Sequence, residues 1–382
     1  MKAVISKVEL VSLIGKIQSI VSAKPAIPIL ANVLIEAKND QIILSATDLT
    51  TSMRCHAEAK VIEEGAIALP AKRFFQLTRE LTSPQIKIST DENDVAEIVA
   101  GSSVFKINGM QKDEFPTLPE TTNAFQISLL SQDLKEMFSK TSFSAARDDS
   151  RHILNGILIQ IADQTATFIG TDGKRLSKVS KQIEVNPSFK GSYVVPLKAV
   201  EEMTKIIDEQ SKWITLSLMN DKIFLEHGNA TLTTKLLSGQ YPDVERVIPQ
   251  ETEKEVKLHR EELIALLRQV SLFTSESAGS VRFIFEEGLL KINGTSSEIG
   301  EGTVSMPVDY KGSIFEIAFN PFFFIDILKH SKDETVKFAF NDSFNPGKIS
   351  DESSAIYVLM PMRINKPAFS SESNETENAA VN

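Results

Sequence analysis

Residues 170–174, GTDGK, carry the glycines and the lysine that a phosphate-binding loop uses. A Walker loop also needs a glycine six residues before the lysine and Ser or Thr directly after it. This chain has Phe168 and Arg175 at those two positions. The sequence therefore argues against a nucleotide cradle at this turn.

Other side chains that could support catalysis are too scattered to form a motif. The histidines show no metal-ligand spacing and are His56, His152, His227, His259 and His330. There is no G-x-S-x-G elbow, and Cys55 lies in an alternating, strand-like stretch where packing is the better interpretation. We predict a protein that is not an enzyme and that uses no metal and no cofactor.

Basic residues follow the predicted helices of an otherwise acidic chain. The net charge is −10, yet the segments predicted to be helical are together net positive. Those segments are 7–21, 71–81, 131–144, 198–207, 260–273 and 321–332. The basic side chains that lie largely off the apolar stripes are Lys72, Arg73, Arg79, Lys198, Lys205, Lys329 and Lys332. They form either solvated helix faces or a mildly positive lining that binds phosphates weakly and without sequence preference.

The segment IYVLMPMRI (356–364) is predicted to be a strand that ends in Met-Pro-Met-Arg. An ordinary core strand is one interpretation. The other is an adaptable apolar pocket, because the unbranched thioether of methionine repacks around different ligands. The residues by themselves leave both interpretations open.

These residues are positioned by a unit that recurs about every 125 residues. A proline at the junction of an apolar strand and a helix recurs at Pro70, Pro196 and Pro321. Landmarks at a similar spacing are Leu10, Leu134 and Leu263 on the first helices, Phe115-Pro116 and Tyr241-Pro242, and Thr47-Asp48 and Thr171-Asp172. We predict three copies of the unit, with boundaries near residues 121 and 249.

Each copy is predicted to be α+β, with two helices on a mostly antiparallel sheet. Apolar and polar residues alternate in QIKIST (85–90) and SVFKIN (103–108), and Asn39-Asp40 divides a hairpin. Ser6 and Glu9 suggest a capping box, and the three prolines are expected at first helical positions. The predicted domains are 1–121, 122–249 and 250–364, followed by a disordered tail, 365–382.

Composition limits the class of protein further. A chain of 382 residues is too long for one ordinary core, and a single cysteine excludes a disulfide scaffold. Neither a signal peptide nor a membrane span is apparent, so we expect a cytoplasmic location. The acidic balance argues against a general nucleic-acid binder.

Motifs in a fixed order resemble those of the bacterial DNA polymerase III β subunits, the sliding clamps, over essentially residues 1–364. They are KPAIPILANVLI (24–35), PAKRFFQLTREL (70–81), LNGILI (154–159), TDGKRL (171–176), YPDVERVIP (241–249) and MPMR (360–363). The resemblance implies three clamp-type domains per subunit and a head-to-tail homodimer that closes a six-domain ring around duplex DNA. It implies a processivity factor that tethers a polymerase mechanically.

A ring holds DNA by topology, so weak attraction inside and an acidic exterior are both compatible with the charge pattern. Contact with double-stranded DNA is expected to be independent of sequence. By resemblance, the residues expected to face DNA are Lys24, Lys72, Arg73, Arg79, Arg147, Lys198, Lys205, Lys329 and Lys332.

The resemblance also implies a pocket between the second and third domains. It would bind linear peptides from the polymerase III catalytic subunit, the clamp loader, other polymerases and repair factors, with a few apolar anchors supplying most of the energy. The expected residues before the domain boundary are Arg151, Leu154, Thr171, Gly173, Lys174, Arg175, Leu176, Pro242, Arg246 and Val247. Those after it are Phe344, Pro346, Val358, Leu359, Met360, Pro361, Met362 and Arg363.

The ring interface is expected to join the first domain of one subunit to the third domain of the other. Strand pairing there would cover two sheet edges that otherwise invite aggregation. By resemblance, the interface residues are Arg73, Phe105, Ile107, Leu272, Phe273, Glu298 and Glu301. Without the family, the strand and the apolar pair would be predicted to be ordinary core.

The chain departs from the family pattern in places that bear on function. His152-Ile153 stands where relatives often have two aromatic residues, which puts a DNA contact there in question. Lys174 stands where a histidine is common, which should change the charge of the pocket rim. We hypothesise that the tail lies across the pocket mouth and weakens peptide binding. Truncation after Ile364 with no change in peptide affinity would contradict that hypothesis.

Two other functions remain to be distinguished from a ring. One is a monomeric scaffold that keeps the peptide pocket, and the other is an unrelated hydrolase built from α+β repeats. The apolar pairs Phe105/Ile107 and Leu272/Phe273 favour the ring over the scaffold. The lack of a nucleophile motif or a metal-ligand cluster in the sequence disfavours the hydrolase.

Overall fold

The computed structural model describes residues 1–22, 25–121, 124–208, 212–274 and 279–363. Lys24 and the predicted tail, 365–382, lie outside these ranges. The described residues form six α-helices and antiparallel strands in the order that the threefold repeat predicts. The α+β class and the three repeated domains are therefore confirmed.

Each repeat begins with a strand and a helix and ends with a second helix and three strands, and the first repeat has one additional strand between its helices. The first contains β1 (Lys2–Ser6), α1 (Lys7–Ile17), β2 (Asn32–Lys38), β3 (Gln41–Thr47), β4 (Thr51–Glu58), β5 (Lys60–Glu63), β6 (Gly65–Pro70), α2 (Ala71–Glu80), β7 (Gln85–Thr90), β8 (Val95–Ala100) and β9 (Ser103–Asn108). The second contains β10 (Phe125–Leu130), α3 (Ser131–Ser142), β11 (Gly156–Ala162), β12 (Thr165–Thr171), β13 (Arg175–Gln182), β14 (Gly191–Pro196), α4 (Leu197–Ile206), β15 (Trp213–Leu218), β16 (Lys222–His227) and β17 (Ala230–Lys235). The third contains β18 (Lys254–His259), α5 (Arg260–Ser271), β19 (Val281–Glu286), β20 (Leu289–Ser296), β21 (Gly300–Pro307), β22 (Phe315–Phe319), α6 (Pro321–His330), β23 (Thr335–Phe340), β24 (Gly347–Ser350) and β25 (Ile356–Leu359).

Local sequence signals place most elements correctly. β7 and β9 have the predicted bounds, and all six predicted helices are present with shorter C-terminal ends. Asn39 and Asp40 join β2 to β3 with φ angles of 51° and 53°. Both angles are left-handed, as a two-residue hairpin turn requires.

Two expectations about helix starts were wrong. The side chain of Ser6 makes no capping hydrogen bond at α1. Pro321 opens α6 as expected, but Pro70 and Pro196 end β6 and β14 and only precede their helices. β6 and β14 are edge strands, and a proline is tolerated there because its missing N–H is not needed by a neighbour.

The chain divides into two compact units. The first consists of residues 1–245 and 350–357. It contains a sheet in the order β5-β1-β7-β8-β9, a sheet in the order β10-β15-β16-β17-β4-β3-β2-β6, and the adjacent strands β14-β11-β12-β13. The eight-stranded sheet is shared by the first and second repeats, because β17 pairs with β4.

The second unit consists of the described residues within 246–349 and 358–363. It contains a sheet in the order β21-β20-β19-β22, and β24, β23 and β18 are adjacent in that order. Its core is rich in aromatic rings, as the 5.1 Å separation of the Phe283 and Phe324 centroids illustrates. The division into two units does not test the predicted boundaries at 121 and 249, which stay predictions.

Candidate functional site

The pairing of β17 with β4 joins the second repeat to the first inside one chain, and we call it the closed joint. In its register, Leu232 is opposite Met53 and Thr234 is opposite Thr51. The first two side chains are 0% exposed, and the two threonine hydroxyl groups lie 3.2 Å apart. Burial in the same strand raises the pKa of the Cys55 thiol to about 12, which suits a packing role.

Polar contacts reinforce the closed joint on its helical side. Lys198 at the start of α4 donates to Asp48 in the β3–β4 turn at 2.6 Å. Ser19, just beyond α1, donates to the buried carboxylate of Glu202. Burial alone would raise the pKa of Asp48, but hydrogen bonds from Lys198 and from the turn backbone outweigh it and hold the pKa below its ordinary value.

β9 forms an edge of the five-stranded sheet and has no neighbour on its outer side within the described residues. Val104 and Phe105 are 56% and 38% exposed, and Ile107 is half-buried. Lys106 makes an exposed ion pair with Glu97, at 4.0 Å. Two of these interface candidates, Phe105 and Ile107, were predicted, whereas Val104 was missed because alternation hides an edge strand that is exposed on both faces.

β21 forms an edge of the four-stranded sheet in the second unit. Leu272, just beyond α5, is 71% exposed, and Glu298 and Glu301 are also exposed. Phe273 packs on β21, because a Cβ on Gly302 would lie 2.5 Å from its ring. β9 and β21 are thus edge strands with exposed apolar side chains on them or beside them, and we call β9 and β21 the open edges.

Three of the predicted DNA-facing residues, Lys72, Arg73 and Arg79, are exposed on α2. Arg79 donates to the side-chain oxygen of Gln18 at 2.7 Å. Within the described ranges, Lys72 and Arg73 make neither a hydrogen bond nor an ion pair. Their charges are therefore available to a ligand or to a second subunit.

The corresponding residues of the second repeat are largely paired with carboxylates. Lys205 contacts Glu202 at 2.7 Å and Arg147 contacts Glu201 at 3.0 Å. Lys198 forms the ion pair with Asp48 described above. Pairing reduces the positive field of this helical face, so its attraction for phosphate should be weaker than that of α2.

In the third repeat, Lys329 and Lys332 are exposed at and beyond the end of α6. Neither has a charged partner in the part of the chain that the structure describes. Lys24, the remaining predicted DNA-facing residue, is outside the described residues. That any of these cations faces DNA stays a prediction.

The β12–β13 turn carries several of the predicted pocket residues. Thr171 donates to the carbonyl of Arg175 at 2.6 Å and accepts from the N–H of Gly173 at 3.1 Å. Asp172 accepts from the N–H groups of Lys174 and Arg175 at 2.8 and 2.9 Å. Gly173 has a φ of 85°. The turn therefore exposes Gly173 and Lys174 while it holds Arg175 against the protein.

Arg151 lies over this turn. It donates to both carboxylate oxygens of Asp149 at 2.9 and 2.8 Å and to the carbonyl of Asp172 at 3.3 Å. The Arg151 hydrogen bonds lower the pKa of Asp149 to about 2. A Cβ on Gly173 would lie 3.0 Å from the guanidinium group, so glycine permits this close approach. The paired, exposed guanidinium could orient the polar groups of a peptide.

The other predicted pocket residues of the first unit differ in exposure. Leu154 and Leu176 are 1% and 2% exposed, and Thr171 is 7% exposed. Pro242 is exposed and lines a surface groove together with Tyr241. Substitution of Leu154 or Leu176 would therefore disturb packing as well as any peptide contact.

A turn in the second unit presents Phe344 to solvent. The carboxylate of Asp342 accepts from the N–H groups of Phe344 and Asn345 at 2.7 and 2.8 Å. The hydrogen bond from Asn345 and then that from Phe344 hold the pKa of Asp342 below its ordinary value. Phe344 is 84% exposed, beside the half-buried Pro346.

The strand that precedes Met-Pro-Met-Arg has a buried end. Val358 and Leu359 are 2% and 1% exposed, as expected of a core strand, whereas Met360 is 42% exposed and is accessible to a ligand. The N–H of Met362 donates to the carbonyl of Ala318 at 2.7 Å, which fixes the segment after the strand. The predicted pocket residues of this unit that are exposed or half-buried are Arg246, Val247, Met360, Pro361, Met362 and Arg363.

Two general features of the described residues bear on the class of protein. Within the described ranges, every helix is too short or too polar to traverse a lipid bilayer. In the same residues, no cluster of three or more His, Cys, Asp or Glu side chains could hold a metal ion. The cytoplasmic location stays a prediction.

Three domain descriptions from one family match the chain in order. They are the DNA polymerase III beta subunit N-terminal domain over residues 1–119, the central domain over 128–243 and the C-terminal domain over 245–363. This chain belongs to the DNA polymerase III beta subunit family. The resemblance inferred from the motifs is therefore confirmed.

Relatives and solved structures in this family match nearly the whole chain. A beta sliding clamp from Chlamydia pneumoniae is 50% identical over 364 residues, 95% of this chain and 99% of the relative. One from Vibrio cholerae is 28% identical over 368 residues, 95% of this chain and 100% of the relative. The DNA polymerase III subunit beta of Pseudomonas aeruginosa is 28% identical with a TM-score of 0.92 and covers 95% of this chain and 100% of its own. The Bacillus subtilis sliding clamp, 23% identical, covers 96% and 100% with a TM-score of 0.92 and shows the fold alone.

Proposed function

We propose that this family member acts as a DNA sliding clamp in replication. Two copies would join head to tail into a ring that encircles duplex DNA and keeps a polymerase on its template, with no catalytic step of their own. The name of the relatives supports this function. The observation that carries it is structural: β9 and β21 have no neighbour on their outer sides among the described residues, and they are equivalent to β17 and β4, which pair in the closed joint.

The repeat supplies a template for that pairing. β9 of the first repeat and β17 of the second repeat are equivalent strands, because each follows a two-residue turn and pairs with the strand before it. β21 and β4 are likewise equivalent, since each is the third strand after the first helix of its repeat. The pairing of β17 with β4 therefore predicts that β9 of one copy pairs with β21 of another.

Transferred residue by residue, the register of the closed joint gives complementary partners. It places Phe105 opposite Gly302 and Lys106 opposite Glu301. Phe273 already lies against Gly302, so Phe105 would meet another aromatic ring. Lys106 would meet a carboxylate. Opposite charges and apolar side chains at facing positions are the pairs that stabilise antiparallel strands.

The helical side of the template agrees with the charged interface residues that the resemblance implies. Lys72 holds on α2 the position of Lys198 on α4, which contacts Asp48 in the β3–β4 turn. The β20–β21 turn is the equivalent of that turn, and it carries Glu298. Lys72 and Arg73 would thus lie near Glu298 across the joint. This supports the expected place of Arg73 and Glu298 in the interface.

Native mass tests the ring against the monomeric scaffold. Sedimentation velocity at micromolar concentration should give twice the chain mass of 42.2 kDa. A mass that stays at one chain as the concentration rises would exclude the ring and favour the scaffold. After loading by a clamp loader, the dimer should remain on circular duplex DNA in high salt and leave when that DNA is cut once, because topology alone retains it.

We also propose that the predicted pocket residues bind linear peptides from the polymerase catalytic subunit, the clamp loader, other polymerases and repair factors. The exposed Phe344, Met360 and Arg363 and the half-buried Met362 suit an adaptable apolar site. Phe344→Ala should weaken binding of a fluorescent polymerase peptide about tenfold or more. Phe322→Ala, at an exposed phenylalanine on α6, should not change it.

Two further variants separate binding from packing. Met362→Ala should weaken peptide binding while the native mass stays that of the dimer. Leu154→Ala should weaken it too, but Leu154 is 1% exposed, so a loss of thermal stability is expected with it. Unchanged peptide affinity in both Phe344→Ala and Met362→Ala would contradict the pocket.

A further inference from the structure

A lysine at one position of the first helix recurs in two of the three repeats. Lys16 is the tenth residue of α1, and Lys140 is the tenth residue of α3. Counted in the same way, the tenth residue of α5 is Gln269, which is exposed. The lysine is therefore missing from the third repeat, whose four-stranded sheet ends in the open edge β21.

Lys16 anchors the closed joint. Its ammonium group donates to the side chain of Asn229, in the two-residue turn that joins β16 to β17. The side chain of Asn229 in turn donates to the carbonyl of His56 on β4. The lysine thus links the first helix of one repeat to the last hairpin of the next repeat.

Lys140 makes the equivalent contact with the last hairpin of the third repeat, through its Ser350–Tyr357 segment, which belongs to the first unit. Its ammonium group donates to Ser353 at 2.6 Å and lies 3.6 Å from Asp351 and 2.9 Å from Glu136. The side chains of Lys140 and Asp351 are 4% and 1% exposed. A buried ion pair of this kind is costly to break, because each charge would be left without a partner.

The third position of this set lies at the open edges. The last hairpin of the first repeat turns at Gly101-Ser102, which is exposed, and Ser102 is the equivalent of Asn229. In the ring proposed above, Gln269 of one subunit would face Ser102 of the other. Neither side chain is charged. The joint between subunits would lack the lysine contact that Lys16 and Lys140 each make within the chain.

We propose that Lys16 and Lys140 are joint latches, and that Gln269 in place of the third latch makes the joint between two copies of the chain the weakest of the ring. This inference rests on the proposed ring. It gives a physical reason why equivalent joints between neighbouring repeats can differ in strength, so that the joint between subunits separates before those within a chain. The proposed contribution to that difference comes from one position of the first helix and from the turn that faces it.

The missing latch can be restored by substitution. Gln269→Lys with Ser102→Asp should lower the Kd of the dimer about fivefold, as expected of a partly shielded ion pair. Each single substitution should change it less. Ala265→Lys with Ser102→Asp is the matched control, because Ala265 is exposed one turn earlier on α5. All three substituted positions are exposed, so circular dichroism should show that each variant folds like the parent.

The latches within the chain give a second, independent measurement. Lys140→Gln should lower the melting temperature by several degrees, whereas Lys190→Gln, in an exposed ion pair with Asp163, should not. An unchanged Kd in the restored variant, or an unchanged melting temperature in Lys140→Gln, would overturn the latch. A wild-type chain that stays monomeric would instead overturn the ring itself and, with it, the weak joint.

Discussion

The closed joint and the open edges are built from equivalent strands of one repeat, yet they contain different side chains and have different exposure. In the closed joint, Leu232 and Met53 are 0% exposed. At the open edges, Val104 is 56% exposed and Leu272 is 71% exposed. An equivalent strand position is therefore part of the core in one repeat and open to a partner in another. The same kind of substitution should therefore have different consequences at the two places.

The largest effect is expected from a truncation inside the closed joint. Leu232→Ala removes a fully buried side chain between two repeats and should lower the free energy of unfolding by about 3 kcal/mol. Denaturant unfolding at a concentration low enough to dissociate the dimer measures it. Phe105→Ala is the matched variant on the equivalent strand and should leave the unfolding of the monomer nearly unchanged. Equal losses in both would break the comparison.

A charge placed on the open edge should act on association and not on folding. Phe105→Arg would put a guanidinium group opposite Gly302 and against Phe273, so we expect the dimer Kd to rise about a hundredfold. Sedimentation over a concentration series measures the change. Ile62→Arg, at an exposed residue of β5 in the same sheet, is the control and should leave the Kd unaltered. A dimer that tolerates Phe105→Arg would place the interface elsewhere.

The transferred register predicts a specific charge pair, and a double-mutant cycle sharpens it. Lys106→Glu should raise the dimer Kd about tenfold, because it sets two carboxylates opposite each other. Adding Glu301→Lys should recover most of the loss. The exposed contact of Lys106 with Glu97 is lost in both variants and cancels from the comparison. No recovery in the double variant would mean that the register is shifted.

Periodicity predicted the elements well but could not distinguish the two kinds of strand edge. SVFKIN alternates as a half-buried strand does, and β9 has the predicted bounds. Alternation reports which side chains share a face and not whether the strand has a neighbour. The three repeats could be counted from spacing alone, whereas the partner of each edge strand depends on pairing between distant segments. The resemblance supplied Phe105 and Leu272 as interface residues because the residues alone predicted core.

Charge in the sequence was also an incomplete guide. Lys72 and Lys198 occupy the same position on equivalent helices, and both were predicted to face DNA. The structure pairs Lys198 with Asp48, whereas Lys72 has no partner among the described residues. The carboxylate is distant in sequence, so a count of charges on one helix could not reveal the pair. Burial of Leu154 was likewise invisible, since a pocket wall and a core have similar composition.

The smallest expected effect tests this pairing directly through the pKa of Asp48. The Lys198 hydrogen bond helps to hold that pKa below its ordinary value, against burial, which acts in the opposite direction. Lys198→Met should therefore raise the pKa, as an NMR titration of the carboxyl carbon would show. Lys72→Met, at the equivalent position of the first repeat, should leave it unchanged.

The sign of the associated stability change follows from linkage. Because the folded-state pKa of Asp48 is depressed, its contribution is present above the unfolded value of about 3.9 and is lost as the pH falls through the folded value. The difference in the free energy of unfolding between the parent and Lys198→Met should thus be largest near neutral pH. This difference should become smaller as the pH falls. A gap that stays constant down to strong acid would show that Lys198 contributes to the closed joint by packing and not through the charge of Asp48.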